Sequence, residues 1–164
     1  MAAKSERSAK LSVLDRLIDQ DPSRNSEAPM SPAQSLRELK TSLRRDMEWL
    51  LNTRQLADEL PAGSNQLQRS LHVYGLPDTC SMSLSSSQDY HRLARTMETA
   101  IATFEPRLRS IRVKPSATSE AGSRTMRFQI EAVLRLEPVP EQITFDTVLE
   151  LSSGEYEIKG DPGA

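Results

Sequence analysis

Glu105 and Arg107 stand on either side of Pro106 in the segment Phe104-Glu105-Pro106-Arg107-Leu108. A carboxylate and a guanidinium flanking a residue of fixed φ admit three uses. They can be exposed charges at a helix stop, members of a partly buried ion pair, or the seat of a catalytic acid or base. Residues flanking a proline do not easily reach each other in one plane, so each charge is expected to find its partner elsewhere. An arginine fork suits a carboxylate or backbone carbonyls. Glycoside hydrolysis would need a second carboxylate about 5–10 Å away across a cleft. Glu98 and Asp89 share the preceding helix, but nothing sets either opposite Glu105.

The rest of the chemical inventory is sparse. His72 and His91 are the two histidines, and neither has metal-ligand spacing. There is no H-E-x-x-H or G-x-S-x-G motif. Six glycines are scattered rather than gathered into a phosphate loop, and Cys80 is the single cysteine. Cys80 has no disulfide partner in the chain, which points to a reducing compartment. No catalytic residue, metal or cofactor is expected. The basic run Arg107, Arg109, Arg112 and Lys114 could touch phosphates. With only Phe104 nearby for stacking, it reads better as the wet side of a strand.

These side chains need a scaffold, and 164 residues suffice for one core. Aromatics make up only 4%, so Leu, Ile, Val and Met must build that core, a modest and adaptable one that leaves room for completion by a partner. The net charge of −2, from 21 basic and 23 acidic residues, gives no global reason to expect nucleic acid or an anionic membrane. Met1–Lys10 has no apolar run of the kind a secretory signal needs, and no stretch is apolar enough to span a membrane. A soluble, cytoplasmic protein is expected.

Two periodicities divide the chain. Residues 1–30 read as a flexible segment carrying a short docking helix. Ser12 would cap that helix, Asp15 would sit near its positive end, and Val13, Leu14, Leu17 and Ile18 would line it. Residues 31–164 read as one domain, with helices over 31–105 and a sheet over 107–158. Ser31-Pro32-Ala33-Gln34 is a capping-box start. Leu36, Leu39, Leu43, Met47 and Leu50 then recur at helical spacing, predicting a helix over about Ala33–Thr53. Arg44, Arg45 and Glu48 lie off that stripe. A short helix near Asn65–Val73 and a turn at Tyr74-Gly75-Leu76-Pro77-Asp78 follow, then a serine-rich loop over Ser81–Ser87. Tyr90, Leu93, Ala94, Met97, Ala100, Ile101 and Phe104 give a second long helix, which Pro106 should end.

Beyond Pro106 the apolar period drops to two. Ile111 and Val113 alternate with Arg112 and Lys114. Met126, Phe128, Ile130, Ala132, Leu134 and Leu136 form the next run, then Ile143, Phe145, Thr147, Leu149 and Leu151. Tyr156 and Ile158 add a short last strand. The fold class is α+β: N-terminal helices packed on a C-terminal, mostly antiparallel sheet of three to four strands. Its last strands, with Phe145, Thr147, Leu149, Tyr156 and Ile158, are a candidate edge for pairing with a strand from another chain. The alternative is an edge protected by Glu155, Glu157 and Lys159.

Several of these segments occur together, in order, in one known family. They are Ser12-Val13-Leu14-Asp15-Arg16-Leu17, Arg44-Arg45-Asp46-Met47-Glu48-Trp49-Leu50-Leu51-Asn52-Thr53-Arg54, Tyr74-Gly75-Leu76-Pro77-Asp78, Phe104-Glu105-Pro106-Arg107-Leu108 and Phe145-Asp146-Thr147. The chain resembles, from about residue 11 to 158, the TssE family of type VI secretion baseplate subunits, within the phage baseplate-wedge (sheath initiator) family. It departs at Met47, where leucine is expected. The resemblance implies a structural part in the baseplate wedge of a contractile injection machine, assembled in bacteria on an inner-membrane secretion complex. Other wedge subunits and the sheath subunits would be its partners, and nucleic acid would not. It implies assembly contacts through Glu105, Pro106 and Arg107, and initiation of the sheath by strand pairing. Members have also carried a lysozyme-like label, so a peptidoglycan hydrolase is the enzymatic alternative. On this footing, charge reversal at Arg107 is expected to abolish assembly and leave the fold intact.

Overall fold

The computed structural model describes residues 11–18, 23, 31–56, 63–78, 87–116, 125–137 and 139–160. Helix α1 is Val13–Leu17, α2 is Pro32–Asn52 and α3 is Ser87–Phe104, with two 3₁₀ turns at Leu67–Arg69 and Leu71–Val73 between α2 and α3. Strands β1 (Leu108–Pro115), β2 (Thr125–Leu134), β3 (Glu141–Glu150) and β4 (Glu155–Lys159) form one antiparallel meander in the order β1-β2-β3-β4. The expected α+β class, helices first and sheet last, is what the chain adopts. The expectations for residues 1–10, for most of the linker and for Ser81–Ser86 fall outside the described residues.

The local chemistry explains the boundaries. At the start of α2, the Gln34 N–H donates to Ser31 Oγ at 3.3 Å and the Ser31 N–H to Gln34 Oε1 at 3.0 Å, a complete capping box. The expected short helix near Asn65–Val73 is instead the pair of 3₁₀ turns, because Ser70 interrupts it. The Ser70 side chain accepts from the His72 N–H, restarting the chain as a separate turn.

Alternation in the strands sorts the two faces. Along β3 the odd residues Ile143, Phe145, Thr147 and Leu149 are buried, while Gln142, Asp146 and Glu150 face water. The buried face meets Leu39, Leu43, Met47, Leu50 and Leu51 of α2 and Leu93, Met97 and Ile101 of α3 in one core. Helix α3 lies along β1 and α2 along β4. Ser110 at φ 52° makes a bulge in β1, between the residues that pair in register at Arg109 and Arg112.

Candidate assembly site: the Glu-Pro-Arg corner and the sheet edges

Helix α3 ends as Pro106 requires. The Glu105 N–H makes the last helical bond, to Ile101 C=O at 2.8 Å, and the Leu108 N–H then donates to Glu105 C=O at 3.1 Å, closing a turn into β1. That turn brings the two charges to the same side. Arg107 forks onto Glu105, with Nε 2.6 Å from Oε1 and Nη2 2.6 Å from Oε2. The expectation that a proline keeps neighbouring charges apart is therefore corrected. The tight turn at Glu105–Leu108 folds the two side chains over Pro106, and the Arg107 N–H adds a further bond to Glu105 Oε1 at 3.2 Å.

The fork continues inward across the fold. Arg107 Nη2 also donates to Asp46 Oδ2 at 2.6 Å. Asp46 Oδ1 accepts from Arg45 Nη2 at 2.8 Å, and Arg45 Nη2 reaches Asp15 Oδ1 at 2.7 Å. Ser12 Oγ–H donates to Asp15 Oδ2 at 2.6 Å. One chain of alternating charges thus joins α1, α2 and the corner. The Glu105 side chain is only 7% exposed and those of Arg107 and Asp46 are each 24% exposed. Glu105 and Asp46 hold the Arg107 guanidinium firmly charged against the cost of its burial, and its Nη1 is buried without a partner. Burial alone would raise the Asp15 carboxyl, but hydrogen bonds from Ser12 and Arg45, with the charge of Arg45, bring it below its ordinary value. The Arg45 guanidinium also lies 4.9 Å from the Trp49 ring centre, within cation–π range.

The other motif segments converge on the same corner. Tyr74 packs edge-on against Phe104, with ring centres 5.1 Å apart. Burial, with the nearby Asp46 and Glu105 charges, pushes the Tyr74 phenol up. Gly75 has φ 106°, and a Cβ there would stand 2.2 Å from Thr53 C=O, so only glycine lets the two backbones meet. The contact is a short parallel bridge, in which the Leu76 N–H donates to Thr53 C=O and the Gln55 N–H to Leu76 C=O.

The sheet edge departs from expectation. Thr147 and Leu149 are not edge residues, because β3 there lies between β2 and β4, whereas Phe145 pairs with Ile130 of β2 and stands one residue beyond the last β3–β4 pair, Asp146↔Lys159. Thr147 and Leu149 are flanked on both sides, by Phe128 and Ile158 and by Met126 and Tyr156. Tyr156 and Ile158 do belong to the edge strand, yet helix side chains cover its outer side. Asn52 accepts from the Tyr156 N–H at 2.7 Å and donates to Tyr156 C=O at 2.9 Å. Glu48 accepts from the Ile158 N–H at 3.1 Å. At the other edge, Glu98 Oε1 accepts from the Val113 N–H at 2.8 Å. All five proposed pairing side chains are buried in the core, Tyr156 among them with its phenol pushed up by burial.

Asp46, Glu48, Asn52 and Glu98 are thus the side chains that tie the helices to the corner and to the sheet edges, a task that sequence pattern did not assign to them. The signal was there in part: Glu48 and Asn52 are four apart and so share one helix face, off the apolar stripe. Among the described residues, no three His, Cys, Asp or Glu side chains gather as a metal site. His91 is exposed and His72 half-buried on its 3₁₀ turn. An open groove of about 870 Å³ between α3 and β1 is lined by Glu98, Arg69, Arg109 and Ser110 but not by Glu105. Of the basic run, Arg107 points inward and Lys114 pairs with Glu131 at 2.6 Å. Among the described residues, no helix is long and apolar enough to cross a membrane.

No curated protein matches this chain. The family model described as baseplate wedge protein gp25 matches residues 37–139. That stretch runs from the first turns of α2, through Asp46, Glu48, Asn52 and the corner, to the approach to β3. With well over half of the sequence matched, the chain belongs to the baseplate wedge protein gp25 family.

Proposed function

We propose that this chain is a non-catalytic wedge subunit in the baseplate of a type VI secretion machine, assembled in the bacterial cytoplasm, that starts sheath polymerisation by pairing strands with sheath subunits. The family match carries this reading. The geometry supports its structural character. Both oxygens of Glu105 are taken by Arg107, so the acid that a hydrolase would need is already bound within the fold. Glu98 is likewise engaged, with the Val113 amide.

Glu105, Pro106 and Arg107 serve assembly here as a joint rather than a docking face. They fix α3, α2 and the first strand at one angle, and through Asp46 and Arg45 they hold α1. On α1, Val13 (71% exposed) and Leu17 (76%) face outward. Wedge neighbours would then read the surfaces that the joint sets.

The test is a pull-down of the tagged full chain from cells. Recovery of wedge and sheath proteins supports the reading, and their absence sinks it. A peptidoglycan release assay addresses the hydrolase. Release by the purified chain that disappears in Glu105→Gln would replace this proposal with the enzymatic one.

A further inference from the structure

We propose that the groove between α3 and β1 is a docking site for an acidic amphipathic helix of a partner protein. The inference stands apart from strand pairing with the sheath. It concerns the side of α3 that the core leaves uncovered.

Charge is the first reason. The chain as a whole carries a net charge of −2, but this groove runs the other way. Arg69, on the first 3₁₀ turn, and Arg109, on β1, both line it. Arg92 and Arg95 extend the basic surface along α3. At 3.6 residues per turn they share with Thr99, Ala102 and Thr103 about a third of the helix circumference. All four arginines are exposed, and among the described residues none has an ion pair. Glu98 is the acid that lines the groove, and it is turned to β1, where its Oε1 accepts the Val113 N–H. Arginine forks left without carboxylates call for carboxylates from another chain.

The floor between these charges is largely apolar. Thr96, Thr99 and Thr103 turn their hydroxyls back to their own helix, donating to the carbonyls of Arg92, Arg95 and Thr99 at 3.0, 2.9 and 2.8 Å. What they offer a neighbour is mainly a methyl group, beside Ala102 and the half-buried Ile111. A smaller hollow of about 260 Å³ shares Thr99 and Thr103 with the groove and carries the floor on toward Val73 and Phe104.

The backbone of β1 offers an incoming strand little here. Glu98 holds the Val113 N–H, and Ser110 at φ 52° bulges the strand. A segment that satisfies its own backbone bonds fits better, and a helix does so. From Arg92 to Thr103 α3 rises about 17 Å, so roughly three turns of a partner helix would lie along it. Aliphatic side chains at helical spacing would rest on the threonine methyls and Ile111, with Glu or Asp on the flanks for Arg69 and Arg109. Nucleic acid suits the groove less well, since among the described residues that line it there is no aromatic side chain for a base to stack on.

The test places a photo-cross-linking amino acid at Thr99 of the full chain, in the cells that make it, and maps the captured peptide by mass spectrometry. The expected product joins Thr99 to a helix of another protein with an excess of Glu and Asp. Arg69→Glu combined with Arg109→Glu should lower the yield at least about tenfold with little change in Tm, and the paired changes to Gln repeat the test should that chain unfold. Lys in place of the captured acids should then restore the product with the Arg→Glu chain. No product from Thr99 or from Thr103 overturns the proposal. So does capture of nucleic acid, capture of a segment without excess acid, a yield indifferent to the arginine changes, or no recovery with the swapped charges. A failed cross-link leaves strand pairing standing, and a pull-down without sheath proteins leaves this site standing.

Discussion

Helix α2 grips the sheet on two sides with different chemistry. On one side Asp46 meets Arg107, and the guanidinium fork ties α2, the end of α3 and the entry to β1 together. On the other, Glu48 and Asn52 meet only backbone, holding β4 by the groups of Tyr156 and Ile158. The first clasp is charge on charge in a half-closed setting, so it sets an angle and is expensive to break. The second replaces a missing strand and leaves the fold's geometry to the core. The contrast separates two tasks: the ionic side orients the elements, and the backbone side closes the edge at β4.

Breaking the ionic clasp should have the largest effect. Arg107→Ala leaves the buried Glu105 and the half-buried Asp46 without their cation, a loss of roughly 3–5 kcal/mol for a buried pair stripped of one partner. Urea unfolding should show a lower midpoint at unchanged slope. Charge reversal at Arg107 would set a third carboxylate between these two. The sequence-based expectation that it spares the fold is accordingly revised, and Arg107→Glu should lower the midpoint further still.

The backbone clasp is weaker. Asn52→Ala strands the N–H and C=O of Tyr156, for about 1–3 kcal/mol. Faster amide exchange confined to β4 would show that the edge had been uncovered. Equal losses for Arg107→Ala and Asn52→Ala would erase the distinction drawn between the two sides.

The outer end of the ionic chain should respond to acid. Asp15 is held below its ordinary value of 3.8, so its stabilising contact is complete above that value and is lost as pH falls through the lower, folded value. Trp49 is the single tryptophan and lies under Arg45, so its fluorescence should shift on acidification. Asp15→Asn should flatten that shift. The smallest effect belongs to Lys114, whose side chain is 59% exposed beside Glu131. Lys114→Ala should cost about 0–1 kcal/mol, since water and salt screen such a pair.

Much of the fold was legible because local rules agree with it. The capping box at Ser31 and Gln34, the stop at Pro106 and the change of period from helical to two each act within a few residues. The joint was legible only as an odd arrangement of charges. That Arg107 turns back onto Glu105 depends on the turn geometry, and that it reaches Asp46 depends on two elements 61 residues apart packing side by side. The edge was misread for a related reason. Period-two alternation shows which face of a strand is buried, but not which strand is outermost or how far its neighbour extends.

The sequence alone therefore determined the order of elements, their apolar faces, the break at Pro106 and, through the segments around Trp49 and Glu105, the family. Tertiary structure decided where the charges meet and which edges are covered. Spacing along one chain constrains neighbours within a turn or two. Asp46 meets Arg107, and Asn52 meets Tyr156, because a shared core presses α2 across the whole sheet.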